Sequence, residues 1–376
     1  MEENFEIDNI TSEILKNSGI EEENQSTDND IITPFDPKKV EIAVEQITVY
    51  GLAARLEDDA IDLMPEFQRQ GNLWNNAKMS QLIESILIRL PLPAMYMDVG
   101  NDHRWIVVDG LQRLSAIKKF MVDKELQLVG LEFLKDLEGK SFDDLDRIFQ
   151  RRIQETNITL FKIKKGTPRK VLTSLFHRIN TGGTKLTAQE IRHALNQGIA
   201  SKFLQKIAKE QWFKDVIKVS PKRMLDKELI VRFCAFFRKG YKSYTPSLQQ
   251  FLDDEMAYLN KENETNELDE LCISFKKSLY LSKTLFGEQA FSKALINKTK
   301  SIVINRSLFE TTTVNFALLN EIEINSLISH QIEFVEDYKK LMKEVEFTNA
   351  ITANTNHMDN VTIRHSKLKN IIYKYI

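Results

Sequence analysis

Residues 105 to 120 read Trp105-Ile106-Val107-Val108-Asp109-Gly110-Leu111-Gln112-Arg113-Leu114-Ser115-Ala116-Ile117-Lys118-Lys119-Phe120, and the change of character within this stretch decides the fold. Ile106, Val107 and Val108 form an apolar β-branched run too short for a helix and suited to a strand buried on both faces. The run stops at Asp109-Gly110, after which Leu114, Ile117, Phe120 and Met121 recur at helical spacing. The chain therefore goes strand, tight turn, helix. Gly110 permits close approach of a ligand, the first helical N–H groups have no intrahelical partner, and Arg113 falls in the first turn, a set that suits a phosphate. A strand-to-helix corner carrying a solvated arginine is the alternative for so short a motif.

Working outward, Ile47 to Leu56 reads as a short strand running into a helix, and Met64-Pro65-Glu66-Phe67-Gln68-Arg69 as an extended loop led by proline. Gln68 and Arg69 carry donors that can converge on an oxyanion. Met79, Leu82, Ile83, Ile86, Leu87 and Leu90 give an amphipathic helix from Asn76, ended by Pro91 and Pro93. Ala94 to Met97 and Trp105 to Val108 then pair as a hairpin around Gly100-Asn101-Asp102. Phe142 to Gln150 reads as helix and Ile153 to Ile163 as the longest strand. Pro168 opens a helix that runs into Asn180-Thr181-Gly182-Gly183-Thr184. Its glycines allow an open backbone that can bind an anion or simply turn the chain, and Thr187 with Glu190 forms a capping box for the next helix. From about Ala200 the chain reads as successive helices, with apolar faces at Leu229 to Phe237, Leu248 to Leu259 and Ile324 to Leu341.

Length and composition bound the function. The chain of 376 residues is 42% hydrophobic, long enough for two domains, and no apolar run approaches the roughly 18 residues of a membrane span. Residues 1–36 hold eleven acids and one base, a net of −10, which leaves +8 on the remaining 340 residues of a chain whose net charge is −2. The acidic head reads as a disordered tail, and the mildly basic body is compatible with a polyanion. The N-terminus lacks the apolar core of a secretory signal. Cys234 and Cys272 read as reduced and structural, and a cytoplasmic location is expected. The six histidines do not cluster as a metal site, although His357 and His365 near Asn354, Asn356 and Asn360 raise a His-Asn-His nuclease as a minor alternative.

Several of these stretches fit one family together. Pro65 to Arg69 with Trp74, Leu82 to Leu87 with Pro91 and Pro93, Asp109 to Leu114, and Phe176 to Gly183 with Leu186, Thr187 and Glu190 resemble the N-terminal domain of GmrSD-type restriction endonucleases. The resemblance covers about residues 45 to 240, with Lys222 to Phe233 as a helical continuation. It implies an α+β fold: a ParB/sulfiredoxin-like N-terminal domain with a small mixed sheet, at 37–198 after the tail at 1–36, then an all-α region at 199–376. It also implies a nucleotide-binding, nucleoside triphosphate-hydrolysing component of an anti-phage system that targets DNA, including modified phage DNA. The family's Asp-Gly-Gln-Gln-Arg motif falls on Asp109 to Arg113, with Leu111 in place of its first glutamine, which leaves binding better supported than hydrolysis. No counterpart of the His-Asn-His domain carried by many relatives is evident.

The expected site has Asp109, Gln112 and Arg113 as catalytic residues, and Gln68, Arg69, Gly110, Arg113, Asn180, Gly182 and Gly183 around the nucleotide, with no resident metal cluster and Mg2+ as a candidate companion of the triphosphate. A separate nuclease subunit and a homo-oligomer are candidate partners, and a membrane is not. The competing readings are a non-catalytic sensor that binds DNA or a partner, and a direct ParB-like nuclease. A sulfiredoxin-like redox role lacks the cysteine it needs beside Gly110.

Overall fold

The computed structural model describes residues 19–21, 41–63, 74–100, 104–167, 171–172, 175, 187–245, 247–261, 265–296 and 302–376. By their contacts these fall into two units, one within residues 41–175 and the other formed by 187–376 together with 19–21.

The first unit is α+β. Its strands are β1 (Ile42–Thr48), β2 (Ile61–Asp62), β3 (Met95–Asp98), β4 (Trp105–Asp109) and β5 (Asn157–Ile163), and its helices α1 (Val49–Glu57), α2 (Asn76–Leu87), α3 (Leu111–Ile117) and α4 (Arg147–Glu155). The mixed sheet has the order β1-β5-β3-β4-β2. β3 and β4 pair antiparallel as the hairpin expected, with an irregularity at Tyr96/Met97, while β3 runs parallel to β5 and β2 parallel to β4. Val107, Leu114, Ile117, Phe120, Ile83, Ile86, Leu160 and Ile153 meet in one core. Thr48 leaves β1 extended and caps α1 by accepting from the Gly51 N–H at 3.1 Å.

Local expectations shift in three places. The apolar face of α2 ends at Leu87; Arg89 takes φ 62 and Leu90 is half exposed, so the helix stops before the prolines act. The helix expected at Phe142 to Gln150 lies at Arg147–Glu155 and consumes the start of the expected strand, because Ile153 is a core residue of α4. After Ile117 the helix widens into a π turn over Lys118–Val122, closed by Asp123 N–H donating to the Lys118 carbonyl at 2.9 Å. The wider turn keeps both Phe120 and Met121 in the core, which a strict 3.6-residue repeat handles less well.

The second unit is helical: α5 (Ala188–Leu195), α6 (Ile199–Lys209), α7 (Gln211–Lys214), α8 (Leu225–Lys239), α9 (Leu248–Leu259), α10 (Thr265–Phe286), α11 (Arg306–Ala317), α12 (Glu321–Ser329), α13 (Gln331–Leu341), α14 (Val345–Thr352) and α15 (Met358–Ile372). The Thr187/Glu190 capping box is present, with Glu190 N–H donating to the Thr187 hydroxyl at 3.2 Å. The face read across Ile324 to Leu341 belongs to two helices that break at His330, where Phe334 N–H restarts the ladder. Every residue of α11 is buried, so it is the centre of this unit. Within the expected disordered tail, Gly19–Glu21 are ordered against these helices. Ile20 is buried and bridges Ile304, and the Arg306 guanidinium donates to the Glu21 carbonyl at 2.7 Å. No described helix is long and apolar enough to cross a membrane.

Candidate functional site

The β4–α3 corner collects Asp109, Gly110, Gln112 and Arg113, as the sequence expects. β4 delivers Asp109 at its last position, and Gly110 turns the chain with φ 103 before Leu111 opens α3. A Cβ on Gly110 would lie 2.9 Å from Met95 Cγ on the neighbouring strand and would also be strained by that φ, so glycine is required twice over. Leu111 is half-buried and packs against the core of this unit.

Arg113 does not stand in solvent. Only 9% of it is exposed. Its Nη1 donates to the Pro93 carbonyl, and its Nη2 donates to the Ala94 carbonyl at 3.2 Å and to Asp109 Oδ2 at 2.8 Å. Both acceptor carbonyls belong to the two residues that lead directly into β3. Arg113 thus fixes the hairpin's entry to the Asp109 carboxylate. Gln112 Oε1 accepts the Trp74 N–H at 2.8 Å, tying the corner to the residue that follows 64–73 in the chain.

Burial raises the Asp109 carboxyl above its ordinary value, although Arg113 and the Gly110 N–H pull it down. Burial likewise lowers the Arg113 guanidinium against the opposing pull of Asp109. A carboxylate held by one shared arginine, with 22% of its side chain open, keeps basicity and acceptor capacity for a ligand. Gln68, Arg69, Asn180, Gly182 and Gly183 lie outside the described residues, so the corner alone carries the geometry. Mg2+ is commonly held by one or two carboxylates plus substrate phosphates, so Asp109 fits the role of a single protein ligand; among the described residues no group of three or more His, Cys, Asp or Glu gathers as a metal cage.

Sequence reasoning missed a second polar centre. In the helical unit Glu310, fully buried on α11, accepts from Arg364 Nη2 at 2.6 Å and Nε at 3.2 Å, and its other oxygen lies 3.5 Å from Arg232 Nη1. His365 Nε2 lies 3.2 Å from Glu310 Oε1, and Asn315 Nδ2 lies 3.3 Å from His365 Nδ1. That pattern assigns a neutral imidazole that donates from Nε2 and accepts at Nδ1. Burial lowers the His365 pKa, in keeping with the neutral form. His365 is therefore a sealed structural group, which removes it from the minor His-Asn-His alternative. The available signal was Arg232 set in the apolar run Leu229, Ile230, Phe233, and the absence of any apolar stripe in Arg306–Ala317.

The corner lies at the end of a buried strand, in a small mixed sheet flanked by helices. Residues 52–196 match the family model of the GmrSD restriction endonuclease, N-terminal domain. The match is less than half of the chain. It takes in the corner and runs to Asn196 at the end of α5, leaving β1 and the Lys222 to Phe233 continuation outside it. No curated protein and no solved structure matches the chain.

Proposed function

We propose that the β4–α3 corner binds the phosphates of a nucleoside triphosphate and hydrolyses it, within a restriction-like system that acts on DNA. The observation that carries this reading is Asp109 itself, a strand-end carboxylate set by Arg113 and left partly open, inside the stretch matched to a restriction-endonuclease domain. Phosphoryl transfer needs mostly positioning and charge neutralisation. In this reading Asp109 orients the attacking water or holds Mg2+, which when bound would neutralise charge on the phosphates. Gln112 holds Trp74 through its backbone N–H, and Arg113 acts as a positioning residue for Asp109 because its other donors face protein carbonyls. The Gly110 backbone would lie against the phosphates, with Gln68, Arg69, Asn180, Gly182 and Gly183 as further phosphate or sugar contacts. Fluorescent ATP and GTP analogues titrated into the full chain with Mg2+ should give saturable binding that unlabelled triphosphate displaces. Absence of binding by either analogue would remove the nucleotide from this reading and leave a DNA- or partner-binding sensor. We further propose that cleavage of DNA, including modified phage DNA, needs a separate nuclease subunit, since His365 is locked on Glu310.

A further inference from the structure

We propose that an arginine groove between the end of α2 and the outer face of α4 receives the sugar-phosphate backbone of DNA. This rests on the reading of DNA as partner and gives that partner a surface separate from the β4–α3 corner. The groove is lined by Arg89, Arg147, Arg151 and Arg152, with Ile148 and the lone acid Glu155. Arg152 has a structural duty: its Nη1 donates to the Leu87 carbonyl at 2.9 Å, neutralising the C-terminus of α2. Arg89, in its left-handed turn after α2, suits the same helix end.

Arg147 and Arg151 have no such duty. They stand one turn apart on the exposed face of α4, where residues at i and i+4 are neighbours. Among the described residues Arg147 makes no ion pair, and Arg151 reaches only Glu155 at 3.5 Å, with both partners more than two-thirds exposed. Such a pair contributes little. Four guanidinium groups against one carboxylate give the groove a net positive charge that an anion would neutralise, and the planar guanidinium fork matches phosphate oxygens in two-point contact.

The chemistry favours nucleic acid over a membrane or an acidic peptide. α4 turns Ile153 into the core and exposes Ile148 as its large apolar residue on the groove, so it has no apolar face with which to enter lipid. The groove carries arginine without lysine, and arginine is the residue suited to planar phosphate recognition. A phosphate backbone offers repeated charges along the groove and requires no sequence readout.

The test is fluorescence anisotropy of the full chain with a labelled 30-base-pair duplex across a salt series, comparing wild type, the double variant Arg147→Glu/Arg151→Glu, the milder Arg147→Ala/Arg151→Ala, and a control of equal charge change, Lys209→Glu/Lys343→Glu. Both arginines are exposed, so the fold is spared, and circular dichroism checks it. The expected result is wild-type binding that weakens with salt, roughly tenfold weaker binding by the Glu variant, a salt slope lower by about 2 in the Ala variant, and a control close to wild type. Undiminished binding by the Glu variant, or an equal loss in the control, overturns the groove while leaving DNA as partner. Failure of wild type to bind duplex or single-stranded DNA at low salt overturns both. Equal affinity for polyglutamate, lost in the same variant, would reassign the groove to acidic peptides.

Discussion

Two carboxylate–arginine centres, one in each unit, are built from the same chemistry to opposite ends. Glu310 is sealed and served by Arg364, Arg232 and His365, and although burial works against ionisation these neighbours bring its carboxyl down to about 2. Asp109 is partly open and has one arginine that also serves two backbone carbonyls, and burial wins, raising its carboxyl. Two arginines and a donating imidazole outweigh burial at Glu310, whereas one arginine and one backbone N–H do not at Asp109. A sealed carboxylate with several charged and polar neighbours is a staple; one at a surface opening with a single shared arginine has capacity left for a ligand.

The largest effect that would sharpen this contrast comes from Glu310→Gln. It leaves Arg364 and Arg232 buried around a neutral group, and the expected cost is about 3–5 kcal/mol, seen as a lower melting temperature or loss of soluble protein. A variant as stable as wild type would show that the network is not a staple.

Gly110→Ala comes next. The added Cβ meets Met95 Cγ at 2.9 Å in a left-handed backbone, and a loss of about 1–3 kcal/mol is expected by chemical denaturation, with loss of nucleotide binding. Unchanged stability would mean that β3 gives way easily.

How much of this was legible in the sequence follows from distance along the chain. The Val107–Gly110–Leu114 switch from strand to helix, the Thr187/Glu190 box and the β3–β4 hairpin are local, and periodicity with turn chemistry found them. The bonds from Arg113 to Pro93 and Ala94 and from Trp74 to Gln112 join residues that the spacing rules of single elements do not connect. So an arginine read as a phosphate donor is found facing carbonyls. The Glu310 network joins α8, α11 and α15, and no periodicity connects Arg232 with Arg364. Leu90 and the His330 break show the reverse error, an apolar pattern continued past a helix end that backbone geometry had already fixed.

The pH dependence should separate the two centres by sign. Glu310 has a folded value below its unfolded one, so its contribution is present above about pH 4.5 and is lost as pH falls toward 2. His365 adds to this, because its lowered folded value lets the unfolded chain take up a proton first as pH drops below about 6.5. Asp109 works the other way: its raised value withdraws stability as pH rises above about 3.8. Calorimetric melts between pH 3 and 8 should show acid loss that is reduced in Glu310→Gln and retained in Asp109→Asn; acid loss of equal size in both variants would dissolve the distinction.

The central claim is that Asp109 is the working carboxylate of the corner, and phosphate release from ATP and GTP by wild type and Asp109→Asn, with and without DNA, tests it most directly. Arg113 keeps its two carbonyl acceptors in this variant, so a stability loss of no more than about 1–2 kcal/mol is expected. The expected result is turnover by wild type, weak or raised by DNA, that falls by a factor of roughly 100 or more in folded Asp109→Asn. Turnover unchanged in the variant, or none by wild type under any of these conditions, would contradict the claim.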